Sequence, residues 1–142
     1  MLVRVLAATV AGGIVFFAVG YVLFGIVLDP IMKPYMRHFP GLMKEPMPSM
    51  IFLPLWNLTM AFLFAIVFEK WANIRTFVDG LKGGFLLMLL IALIIDLQYV
   101  AFTNIFNGPV ALIIDVVAAT ALGTLAAGAV GAVLGLMNKE KA

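Results

Sequence analysis

A chain of 142 residues that is 65% hydrophobic and only 11% charged carries far more apolar side chain than the core of a soluble domain of that length can bury. Together with a mean hydropathy of +1.18, this excludes a water-soluble fold and points to an integral membrane protein. The net charge of +2 is too small for a nucleic-acid surface, and the absence of cysteine excludes disulfide frameworks, thiol redox chemistry and thiolate metal centres.

Four segments are long enough to cross a hydrocarbon core of about 30 Å at roughly 1.5 Å per residue. They are residues 5–28, 49–68, 83–103 and 109–137. None alternates in polarity as barrel strands do. The first follows Arg4, and its uncharged stretch exceeds the roughly 7 to 15 residues of a signal-peptide core, so it reads as a retained helix. Asp29-Pro30 closes it, Pro46-Met47-Pro48-Ser49 opens the second span, and Asn107-Gly108-Pro109 opens the fourth. The short third loop, residues 104–108, makes the last two spans a hairpin. The expected fold is all-α, a single four-helix transmembrane bundle occupying the whole chain.

Lys and Arg divide unevenly about these spans. Arg4, Lys70, Arg75, Lys82, Lys139 and Lys141 fall on one side, and Lys33, Arg37 and Lys44 on the other. The positive-inside rule then puts both termini in the cytoplasm, with residues 29–48 and 104–108 outside. Tyr35, Trp71 and Phe77 read as interfacial anchors, and Trp56 as either an anchor or a lining residue.

Two aspartates, Asp96 and Asp115, lie inside the third and fourth spans, each at the end of an Ala-Leu-Ile-Ile-Asp run. The residues that follow the two runs diverge at once, so no inverted repeat is inferred. Acids at membrane depth are costly unless protonated, paired or facing a polar cavity, which makes these two functional candidates. Equal offsets from the hairpin turn give them equal depth, roughly 10 to 15 Å below the outer helix ends. The same count from Asp29 and Ser49 places Tyr21 and Asn57 in that layer, and Tyr99 shares the face of Asp96.

No Lys, Arg or His lies within the four spans. Charge compensation is therefore left to protons, a bound cation or a basic group on a ligand or partner. Neighbouring carboxylates in low dielectric do not both ionise, and their titrations are coupled. The alternative role is packing, with the acids hydrogen-bonded across the hairpin at about 0.6 kcal/mol per bond.

In the fourth span, Ala119, Gly123, Ala127, Gly131 and Gly135 form a ridge of small residues on which a second helix can pack, within the chain or in a partner. Met32, Met36, His38, Met43 and Met47 in the first loop offer thioether and imidazole ligands of a kind that suit Cu(I), although methionine more often fills apolar gaps. Asn57-Leu58-Thr59 matches a glycosylation sequon, but it lies within a span. His38 has no serine or carboxylate at a catalytic spacing, so no enzyme and no cofactor is expected.

With the hairpin acids, the Gly-Leu-Met-Lys-Glu-Pro-Met-Pro segment at 41–48, the Phe-Glu-Lys-Trp-Ala helix end at 68–72 and the glycine-rich last helix, the chain resembles small four-helix bacterial membrane proteins of families of unknown function. The resemblance implies the bacterial cytoplasmic membrane and a four-helix topology, with no activity or site to transfer. The chain differs from small multidrug exporters, whose first helix carries a membrane-embedded glutamate; this first span has no acid. The functional expectation is proton- or cation-coupled transport through the aspartate pair. A second is an accessory subunit docked on a larger membrane complex, or on a second copy, through the glycine ridge.

Overall fold

The computed structural model describes residues 1–44 and 48–139, all of them helical or in connections, with four helices long and apolar enough to cross a membrane. The first rod begins with α1 (Leu2–Gly20), widens into a π-helical segment (Tyr21–Leu28), and continues as α2 (Asp29–Met32) and a 3₁₀ turn (Lys33–Tyr35). Asp29-Pro30 therefore does not close the helix. Proline normally clashes with the carbonyl four residues back, but here the turn before it is already widened. The Asp29 N–H donates to the Phe24 carbonyl five residues earlier, and Pro30 enters at the first turn of α2, where its missing N–H costs little.

The second helix starts later and ends later than its apolar run suggests. Ser49 Oγ accepts from the Phe52 N–H at 3.4 Å, and α3 runs Phe52–Val67 before a second π-helical turn, Phe68–Ala72. Pro46 and Met47, taken as helix-opening signals, lie outside the described residues. Asn73, in the left-handed region at φ 49°, ends the helix; Asn tolerates that conformation better than most side chains. The Thr76 hydroxyl accepts from the Asp79 N–H at 3.0 Å and donates to Asp79 Oδ2 at 2.7 Å, a reciprocal cap that starts α4 (Phe77–Phe102) ahead of the expected residue 83. α5 (Pro109–Lys139) begins at its proline after Gly108, whose φ of +119° requires glycine.

Helix α5 is central: α4 lies along one side, α1 along another, and α3 packs mainly on α1 while also touching α5. Three sets of contacts define the levels of the helices. On the α4 side, Gly80 and Gly84 lie against Ala127, and Met88 lies over Gly123. On the α1 side, Gly12 faces Val130 and Ala126, and Gly20 faces Leu122. Between α1 and α3, Gly13 faces Leu58, and Phe16 meets Trp56 with ring centroids 6.4 Å apart. The core below is apolar, with Phe16, Phe64, Phe68, Val130 and Leu134 fully enclosed.

A smaller apolar cluster closes the hairpin end, where Leu28 and Met32 of the first rod meet Ala111 and Ala118. Backbone bonds knit that end to the α4–α5 turn. The Arg37 N–H donates to the Ile105 carbonyl at 2.8 Å, and the Asn107 N–H donates to the Tyr35 carbonyl at 2.7 Å.

Candidate functional site

The small-residue interface between α4 and α5 determines where the acids sit. Asp96 lies a little over two turns beyond Met88, and Asp115 the same distance before Gly123, so an antiparallel pair in contact at Met88 and Gly123 brings them to one level. Their carboxyl groups are immediate neighbours. Asp96 is only 3% exposed, and its Oδ2 is buried without a hydrogen-bond partner; Asp115 is half-buried. Among the described residues no salt bridge reaches either acid. A buried carboxylate oxygen without a donor is unfavourable unless a proton, a cation or a ligand group compensates it.

Of the other side chains expected in this layer, Tyr21 is 63% exposed and Tyr99 47% exposed, on outward faces of their helices. Tyr99 instead lines a shallow groove on α4 with Ile95, Gln98, Phe102 and Thr103. Asn57 is buried, but at a different level. Its chain neighbours Trp56 and Leu58 pack on Phe16 and Gly13 of α1, next to the turn where Gly12 meets Ala126, about three turns or roughly 16 Å from Asp115.

The four-residue polar layer is therefore reduced to the aspartate pair. Its premise, that all four helices begin at one depth, fails because the first rod runs past Asp29 to Tyr35 while α3 starts only at Phe52. That start is level with Gly20 and hence with Leu122, about two turns short of Asp115. Beyond it, the helical framework around the acids is the first rod, α4 and α5.

The glycine ridge is internal. Gly123, Ala127, Gly131 and Gly135 are all buried, and a Cβ added at Gly131 or Gly135 would run into the backbone carbonyl of Thr76 or Arg75. No face is left there for a partner helix. Met32 is buried in the hairpin-end apolar cluster with Met36 packed against it, His38 and Met43 are exposed, and Met47 lies outside the described residues. Among the described residues no group of three His, Cys, Asp or Glu is placed to hold a metal ion.

A second polar constellation, at the opposite end of the bundle, is absent from the sequence reading. Glu69, in the π-helical turn after α3, has a side chain only 4% exposed between two arginines. Arg4 Nη2 lies 2.8 Å from its Oε1, and Arg75 Nη1 lies 2.9 Å from its Oε2. Arg4 also donates through Nη1 to Asn138 Oδ1, and Arg75 donates to the carbonyls of Phe68, Ile74 and Glu69 at 3.2 to 3.5 Å. One carboxylate thus joins the start of α1, the end of α3 and the connection to α4, and Arg4 extends the network to the end of α5. An acid at a span edge among basic residues looks like ordinary boundary charge; its burial depends on contacts remote in sequence.

No family model, curated protein or solved structure matches this chain.

Proposed function

We propose that the chain is a multi-pass protein of the bacterial cytoplasmic membrane that moves protons or a small cation through the Asp96–Asp115 pair, without a catalytic step. The observation that carries this reading is the Asp96 carboxyl: 3% exposed, with one oxygen unpartnered, and with another carboxyl rather than a base as its neighbour. Packing alone would be better served by apolar residues, since a buried polar group lacking full hydrogen bonding opposes stability. The reading also accounts for the asymmetry of the two acids. Asp96 is almost fully enclosed while Asp115 is half-buried beyond the start of α3, so the two carboxyls of the pair have different surroundings.

In this topology both termini and the Arg4–Glu69–Arg75 end face the cytoplasm, and the hairpin end faces outward. An accessory subunit would have to dock on another face, because α4 lies along the glycine ridge.

The test is transport by purified protein in sealed vesicles carrying an internal pH dye, with a pH step and monovalent cations supplied in turn. Asp96→Asn and Asp115→Asn keep the side-chain shape but cannot cycle a proton. Proton or cation flux by the unaltered protein, lost in both variants while they remain folded, is expected. Equal flux in the variants, or none by the unaltered protein, overturns the reading.

A further inference from the structure

The end of the bundle opposite the acid pair is closed by charge, over an interior closed by packing. Immediately inside the Glu69 ion network lies the aromatic column Phe68, Phe64 and Phe16, with neighbouring ring centroids 6.0 and 5.9 Å apart. Ala8, Ala61 and Ala65 are wholly buried around it.

Three features distinguish this network from a static brace. It is incompletely satisfied: Arg4 Nε and Glu69 Oε2 are buried without a well-directed hydrogen bond, although Arg75 lies 2.9 Å from that oxygen. Charges buried in this way contribute little net stability relative to apolar side chains. Its central residue sits in a π-helical turn, followed by the left-handed Asn73, where the helix is already departing from regular geometry. Finally, the Arg75–Thr76 backbone rests on Gly131 and Gly135 of α5, which offer it no side chain of their own, with Ile74 packed beside Gly131.

We propose that the Glu69 clasp is a releasable closure: parting Arg4 and Arg75 from Glu69 frees the end of α3 from the start of α1, which stays tied to α5 through Asn138, and uncovers the interior at this end. The hairpin end, held by the backbone bonds of Arg37 and Asn107, stays shut in the same event. That this closure gates passage to the acid pair rests on the transport reading; the closure itself does not.

The chain has no cysteine, so single cysteines report without background. In detergent, where both ends are accessible, Ala8→Cys and Ala65→Cys report on the basic end and Ala111→Cys on the hairpin end; all three alanines are fully buried. Each is placed in the unaltered background and with Glu69→Gln or Arg75→Gln, and labelling by a charged thiol reagent is timed. The expected result is labelling about tenfold faster at positions 8 and 65 in both clasp variants, with position 111 unchanged. Unchanged labelling at 8 and 65 overturns the proposal. So does faster labelling at all three positions, which marks the clasp as a brace whose loss unfolds the bundle. Vesicle flux on the same variants separates the two ideas: basic-end opening without any flux retains the closure and removes its role in transport.

Discussion

Met88 of α4 lies directly over Gly123 of α5, and the acid pair stands a little over two turns beyond that contact. The closeness of the two helices is thus what brings Asp96 and Asp115 together, because only a side chain as small as hydrogen lets Met88 into that position. At Gly84 the constraint is similar, where an added Cβ would collide with the Ala127 methyl.

Gly84→Leu and Gly123→Leu should therefore separate α4 from α5. Overpacking of a close interface costs about 1 to 3 kcal/mol, read as a lower midpoint in thermal or denaturant unfolding in detergent. The same variants should alter any flux that depends on the acid pair. Gly25→Ala, where the nearest non-neighbouring atom stands 3.5 Å from the added Cβ, serves as the control and should not destabilise, since alanine is favoured over glycine within a helix by about 0.5 to 1 kcal/mol.

The acids should show non-additive energetics. Asp96→Leu removes a buried group that is only partly satisfied, but it leaves Asp115 without its neighbour, at a cost of about 1 to 3 kcal/mol. Replacing both by leucine removes the polar pair and should be close to neutral. A double-mutant cycle on unfolding free energies measures the coupling; additive losses would show that the two carboxyls do not interact.

How much of this was legible in the sequence depends on the distance over which each inference had to reach. The level of Asp96 against Asp115 follows from equal offsets about one tight turn, a local count. Asn57 and Tyr21 required a comparison between helices joined by a long connection, and that comparison assumed helix ends at Asp29 and Ser49. The π-helical passage through Pro30 and the late start of α3 at Phe52 shift the first rod and α3 by turns rather than residues. Gly12 and Gly13 carried an unused signal: adjacent glycines in the first span place α1 against both α5 and α3, through Val130 and Leu58. The Glu69 clasp was out of reach altogether, since Arg4 and Asn138 approach it from the two extremes of the chain.

Tyr21 and Tyr99 face outward, so loss of either hydroxyl should leave the acid pair undisturbed. Tyr21→Phe and Tyr99→Phe are expected to fall within about 0.5 kcal/mol of the unaltered protein in stability. Their flux in vesicles should match it as well. A loss of flux in Tyr99→Phe comparable to that in Asp96→Asn would return Tyr99 to the site and require a rotation of α4 away from the observed packing.

Membrane orientation can be measured at the two ends that the structure distinguishes. The Arg4–Glu69–Arg75 end collects most of the basic side chains, and positive charge is retained on the cytoplasmic side during insertion. A reporter fused after Ala142, or inserted at 77–79, should be active only as a cytoplasmic reporter, while a tag beside Phe39 should be reached by impermeant reagents from outside intact cells. The exposure of Phe39 makes that insertion compatible with the fold. A Phe39 tag protected in intact cells and exposed in inverted vesicles would reverse the molecule, bringing the acid pair close to the cytoplasm and the Glu69 clasp to the outer surface. The clasp would then close the outward end, and the direction of any proton-coupled movement would invert with it.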